Sequence, residues 1–307
     1  MEAYIILESV LSLFFMILVG VYGSKKKIIT AAINKGLIDI LIQITLPCMI
    51  LSSFIYTYDD TIKTNVLKTF YYSIAVYLIT IIISHLILLP IKKDKKTILH
   101  FSNVFVNTGY IGFPVLYSIY GAEGVIYGSV FNMYFVIFLW TYGLLLFKGH
   151  LQKNSLLEEL RKIIFNPSII AVCAGILIMI LDLKIPVPLL SSIKSIGSIS
   201  GPLSMIIIGV ILSNTNLKRY IHDWTLYYGL AAKLIIIPAI IYVFSLFLGE
   251  TSKAIHTVII MSSMPASAMT AIFAESFDRE KEYAAVVVSL STLVSLITIT
   301  ILMKIIM

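Results

Sequence analysis

Asn107-Thr108-Gly109-Tyr110-Ile111-Gly112-Phe113-Pro114 and Ser262-Ser263-Met264-Pro265-Ala266-Ser267 are the two stretches whose reading decides the fold. The first interrupts an apolar run from about Thr97 to Gly121, the second an apolar run from about Lys253 to Phe277. Each leaves roughly half a membrane span on either side. Backbone released from a helix at membrane depth is tolerated only where protein covers it or water reaches it. A pair of interrupted helices in corresponding halves of a chain points to a transporter's binding site. A lone Pro265 would be a kink, and Gly109 or Gly112 alone would be close-packing positions. The polar residues Asn107, Thr108, Ser262, Ser263 and Ser267 gather at both breaks between apolar flanks, which favours two unwound segments that cross.

Composition supports a bilayer setting. Apolar residues make up 59% of the 307-residue chain and charged residues 13%, with a mean hydropathy of +0.98. A soluble domain carries roughly 25% charged residues. Ten apolar runs of spanning length follow one another, near 3–23, 34–56, 66–90, 98–121, 124–147, 166–182, 190–213, 224–248, 253–276 and 282–303. The expected fold is an all-α polytopic membrane protein, a single domain in the plasma membrane. No basic segment precedes the first apolar run, so that run does not read as a cleaved signal peptide.

Basic residues set the orientation. Sixteen of the 23 lysines and arginines fall in one set of loops, among them Lys25 to Lys27, Lys92 to Lys96 and Arg161-Lys162, and six fall on the other side. The positive-inside rule puts the first set in the cytoplasm and both termini outside. The net charge of +7 therefore needs no nucleic-acid partner. Cys48 and Cys173 lie in apolar spans and read as inert buried thiols. The five histidines show no ligand spacing with each other, with cysteine or with carboxylates, so neither metal nor cofactor is expected.

The charged connection at 148–165 divides the spans five and five. Five is odd, so the second half must enter the membrane from the opposite side. The expected organisation is a first repeat at 1–147, a cytoplasmic connecting segment at 148–165 and an inverted second repeat at 166–307. Gln43-Ile44-Thr45-Leu46-Pro47 in the second span matches Gly197-Ser198-Ile199-Ser200-Gly201-Pro202 in the seventh, each a proline preceded by small or polar residues.

Lys233 is the one basic residue deep in a span, about nine residues past Trp224 or roughly 14 Å. It either snorkels toward the cytoplasmic end or serves as counter-charge to an anion or carboxylate. Asp39 and Glu275 read as interfacial or paired. Gln43 and Asn132 are deeper and read chiefly as helix–helix hydrogen-bonding residues. Ser84 reads as a small polar residue remote from the breaks.

Asn107-Thr108 followed by Gly112-Phe113-Pro114 resembles the fourth span of the auxin efflux carrier family. Pro265 followed by Ile272-Phe273-Ala274-Glu275 resembles its ninth. Pro47, Pro202-Leu203 with Gly209, and Lys233 before Pro238 fit the same order. The chain is similar to a compact bacterial member of this PIN-like family over essentially its whole length. Plant members have a proline where this chain has Val106, which leaves the sharpness of the first crossover open. The resemblance implies ten helices in two inverted repeats, crossed helices four and nine, elevator-type movement, a homodimer and carboxylate substrates such as indole-3-acetate or malate.

The physics of the breaks is compatible with that. A half-helix beginning near the midplane has amide groups without helical partners and partial positive charge. Two such N-termini meeting would attract a carboxylate. The expected substrate-binding residues are Asn107, Thr108, Gly109, Ser263, Pro265, Ala266 and Ser267, with Lys233 and Gln43. The carbonyl ends of the preceding half-helices would suit a cation, but no carboxylate cluster lies there, which disfavours an obligatory Na⁺ site. The alternatives are a sodium-coupled organic anion symporter of the bile-acid type and a membrane receptor or sensor that does not transport. No deep Asp pair, His cluster or Ser/His arrangement supports an enzyme.

Overall fold

The computed structural model describes residues 2–55, 60–148, 160–161, 163–214, 217–249 and 251–306. Among them the regular elements are helices, and the only β contact is an isolated bridge between Val106 and Ala266. The cause is elementary: in hydrocarbon a helix satisfies its own backbone, and an open strand does not.

The helices follow the apolar runs in order. They are α1 (Glu2–Lys25), α2 (Ala31–Ser53), α3 (Asp60–Ile87) and α4 (Lys93–Val104). The stretch Thr108–Lys148 is helical but turns at Gly121, whose φ of 59° lies in the left-handed region that glycine adopts without strain. It therefore contributes α5 (108–120) and α6 (122–148). Then come α7 (Pro167–Leu181), α8 (Val187–Ser213), α9 (Trp224–Phe247), α10 (Lys253–Ser262), α11 (Met269–Ser276) and α12 (Lys281–Ile306). Among the described residues six stretches are long and apolar enough to cross a membrane on length and composition, including α2, α3, α8, α9 and α12. The broken pairs α4–α5 and α10–α11 share two of the expected runs.

Local sequence explains the starts and the irregular turns. Asn166 caps α7 by accepting from Ser168 N and Ile169 N, with Pro167 in the first position, where a missing N–H costs nothing. Asp223 caps α9 through Thr225 N. Wide π-turns occupy Leu41–Thr45, Thr108–Gly112 and Ala232–Ile236, each just ahead of a proline at 47, 114 or 238. The proline ring crowds the carbonyl four residues earlier and has no N–H to give it, so the turn opens.

Two packing groups result. α1 lies along α8, and α2 packs on α7 and α8; the other group gathers α3 to α6 with α9 to α12. In the first group a Cβ on Gly20 would lie 2.1 Å from Ile206 O, and one on Gly209 would lie 2.1 Å from Ile17 O. The backbones of α1 and α8 touch there, as small residues allow in membrane helices. Large apolar side chains on the outside, such as Tyr71, Val187 and Phe247, are exposed, as a lipid-facing surface requires.

Two expectations need correction or placing. Cys48 is only half-buried and Cys173 is exposed, because each lies toward the outside of its helix; neither is the buried thiol expected. Of the connecting segment 148–165, residues 149–159 and 162 lie outside the described residues, as does the side chain of Glu275.

Candidate functional site: the crossing of two broken helices

The two breaks meet. α4 ends at Val104, and Phe105 turns to extended backbone (φ −100°, ψ 98°). Val106 then pairs antiparallel with Ala266. Asn107 N donates to Pro265 O at 2.8 Å, and Ser267 N donates to Phe105 O at 2.9 Å. Each unwound segment thus supplies what the other lost, which is how non-helical backbone persists at this depth. Val106 does not soften the break: it pairs with Ala266, and valine favours extended backbone.

Two helix N-termini leave the crossing. Asn107 caps the first, its Oδ1 accepting from Tyr110 N at 3.0 Å. Ser267 caps the second, its Oγ accepting from Met269 N at 3.2 Å. Both caps use an acceptor oxygen and leave a donor over: the Asn107 side-chain NH₂ and the Ser267 hydroxyl hydrogen have no partner among the described residues. Thr108 is committed elsewhere, donating to Asn132 Oδ1 at 2.6 Å. Asn132 is therefore a helix–helix bonding residue, as expected. Gly109 lets Leu46 of α2 lie against the turn, 3.4 Å from where a Cβ would be.

The space beside these N-termini is closed. A gap of about 10 Å³, the room of one water at most, is lined by Asn107, Tyr110, Ala268 and Thr292 on one side and by Ile208, Ile211 and Leu212 of α8 on the other. Nearby, a cleft of about 890 Å³ opens between the packing groups. Ser52 and Ser53 of α2, Pro114 and Ser118 of α5, and Lys194, Gly197 and Pro202 of α8 line it. The matching Pro47 and Pro202 motifs thus lie on helices of the first group, and the second motif borders the cleft directly.

Several candidates have other duties. Ser263 sits at the carbonyl end of α10, where its hydroxyl donates to Ile259 O at 2.7 Å. It is not at an N-terminus, so it offers no donor there. Pro265 and Ala266 contribute backbone to the crossing, Pro265 as acceptor and Ala266 through the bridge. Gln43 is exposed on the π-turn of α2 and joins none of the hydrogen bonds at the crossing. Asp39 is also exposed, as an interfacial residue would be.

Lys233 does not snorkel. It is 1% exposed, and its Nζ donates to Asn103 O at 2.9 Å and Ser262 O at 3.4 Å. Its partners are the carbonyl ends of α4 and α10, so its hydrogen bonds are made away from the two N-termini.

The structure adds residues that the sequence did not single out. Ser291, fully buried on α12, accepts from Ala266 N at 3.1 Å and so holds the middle of the second break. Ser84 is not remote: its Oγ bridges His100 Nδ1 at 2.8 Å and Asn103 Nδ2 at 3.0 Å, and His100 Nε2 meets Tyr142 Oη at 2.7 Å. The run Ser289-Leu290-Ser291-Thr292-Leu293-Val294-Ser295 is a hydroxyl stripe that could have marked α12 as a partner of the breaks.

Comparison with known proteins places the chain among transporters. A family model described as "Membrane transport protein" matches residues 5–303. An uncharacterised transporter of Methanocaldococcus jannaschii is 24% identical, covering 95% of this chain and 96% of its own length. One of Methanothermobacter thermautotrophicus is 26% identical over 63% of each chain. A Rhizobium meliloti protein named "Putative malonate transporter" is 28% identical over 46% of this chain and 43% of its own. Matched almost end to end, the chain belongs to the membrane transport protein family, that of the auxin efflux carriers, and is a multi-pass membrane transporter rather than an enzyme.

Proposed function

We propose that this transporter moves a small organic anion, a mono- or dicarboxylate, as a secondary carrier or uniporter, with the carboxylate held at the crossing. The observation that carries this is the pair of capped N-termini at Asn107 and Ser267, each with a spare donor. Backbone amides and a positive dipole end favour an anion, and two such ends converge here. The malonate named for the Rhizobium relative is a substrate of the same class.

The movement proposed is elevator-type. The gap at the crossing is sealed by Ile208, Ile211 and Leu212, which belong to α8 and hence to the group made rigid by the Gly20–Gly209 contact. Sliding α3 to α6 and α9 to α12 past α8 would uncover the N-termini to one side and then the other. The ten spans would form two inverted repeats, 1–147 and 166–307, with both termini outside and a homodimer as the working unit. The cleft between the groups would be the approach from one side, and Lys194 the cation met on entry. The anion and the lipid bilayer are the partners implied.

Counterflow in proteoliposomes tests this. Protein loaded with one carboxylate should exchange it for labelled substrate from a panel of mono- and dicarboxylates. Saturable binding without counterflow would make the protein a receptor. Exchange that requires Na⁺ would make it a symporter of the bile-acid type.

A further inference from the structure

Each half-helix that ends at the crossing loses a hydrogen bond at the equivalent place. In an unbroken helix Asn103 O would accept from the N–H of residue 107, and Ser262 O from that of residue 266. Here Asn107 N donates to Pro265 O at 2.8 Å, and Ala266 N donates to Ser291 Oγ at 3.1 Å. The two carbonyls left over are the pair that Lys233 Nζ takes, at 2.9 and 3.4 Å. Both lie at the negative ends of their half-helices.

More oxygen surrounds them. Asn103 Oδ1 is buried without a hydrogen-bond partner. Ser262 Oγ spends its proton on Ile259 O at 2.7 Å and keeps its lone pairs. A void of about 10 Å³ bordered by Thr80, Asn103 and Ser262 adjoins. Unwound carbonyls and half-helix C-terminal ends are where broken-helix transporters coordinate a free cation.

We infer that the Lys233 ammonium is a tethered cation, standing where a free monovalent cation would otherwise bind and making the crossing independent of Na⁺. The ammonium donates to both stranded carbonyls and keeps a positive charge in the transport body through the cycle. Shortening the side chain would then expose a pocket of carbonyl, amide and hydroxyl oxygens, the donor set a hard cation takes.

The inference rests on the transport proposal only for its meaning in the cycle, since its test needs no substrate. Thermal unfolding of purified protein is measured in NaCl and in choline chloride of equal ionic strength. Wild type should melt at the same temperature in both. Lys233→Ala, with two buried carbonyls unpartnered, should melt about 5–10 °C lower in choline chloride. NaCl should restore at least half of that loss along a saturating curve. Lys233→Met fills the space without donating, and should be destabilised with no Na⁺ response. If Lys233→Ala gives too little protein, Lys233→Ser is measured with the same expectation.

A wild type stabilised by Na⁺ over choline overturns the inference, and so does a Lys233→Ala or Lys233→Ser protein indifferent to the two salts. Absence of carboxylate counterflow in a wild type indifferent to Na⁺ would remove the transport proposal and leave the tethered cation standing.

Discussion

Replacing Ser291 by alanine removes a single hydroxyl and strands a single peptide. Ser291 is fully buried, and its Oγ is the acceptor for Ala266 N at 3.1 Å in the middle of the second break. Ala266 is itself fully buried, so no water replaces the lost acceptor. A buried donor left unmade costs about 1–3 kcal/mol. The serine's other bond, to Val288 O at 2.9 Å, is local and its loss is nearly neutral, because that carbonyl keeps its place in the α12 ladder. Ser291→Ala should therefore lower the unfolding temperature of the purified protein by about 2–12 °C, at roughly 2–4 °C per kcal/mol. Ser291→Thr keeps the hydroxyl and should recover most of the loss. Ser198→Ala is the control: Ser198 is exposed, its hydroxyl bonded locally to Ser195 O at 2.7 Å. A Ser291→Ala protein as stable as wild type would refute the idea that the unwound backbone is held by specific acceptors.

Other perturbations follow from the same structure. Gly209→Ala puts a Cβ 2.1 Å from Ile17 O, and backbone cannot step aside cheaply, so α1 and α8 must separate; stability should fall by about 1–3 kcal/mol or more, seen as lost expression or a lower unfolding temperature. Ser84→Ala, at a buried bridge between His100 and Asn103, should destabilise by about 1–3 kcal/mol in the same assay, whereas a neutral surface serine would not. Single cysteines at 94 and 251 should label from opposite sides of intact cells, with 251 outside; labelling from one side contradicts the ten-span topology. Burial alone would raise the Asp223 pKa, but the Lys95 ammonium and the Thr225 hydrogen bonds outweigh it and hold the carboxylate below its ordinary value. The stabilisation it gives is full above the unfolded value near pH 4 and is lost as pH falls through the depressed folded value. Asp223→Asn should accordingly flatten the acid side of the stability profile.

The breaks were legible because glycine, proline and clustered polar residues are rare together inside an apolar run. Their meeting was legible because unwound backbone at that depth needs a partner, and the sequence holds two such segments. Lys233 was legible as an anomaly but not in its role: its partners are main-chain carbonyls, 130 and 29 residues away, and a carbonyl carries no sequence signature. Ser291 was hidden for a related reason. Serines in membrane helices commonly bond to their own helix, as Ser118, Ser129 and Ser295 do here, and nothing local marks the one that also accepts from a distant peptide. Ser263 was expected among the binding residues, but the helix ends one residue before it and its hydroxyl turns back to Ile259 O, which the sequence alone does not show. Gln43 stood out by polarity, yet the turn that carries it faces outward.

The most direct test of the carboxylate site is counterflow by the Asn107→Ala/Ser267→Ala protein. Each alanine removes a capping oxygen and a spare donor from one of the two N-termini. Losing a hydrogen bond to a charged ligand costs about 1.5–3 kcal/mol, or roughly tenfold to more than a hundredfold in affinity. The double variant should insert and purify, and should then need at least tenfold more carboxylate for half-maximal exchange. Counterflow at the wild-type concentration dependence would place the binding site somewhere other than the crossing.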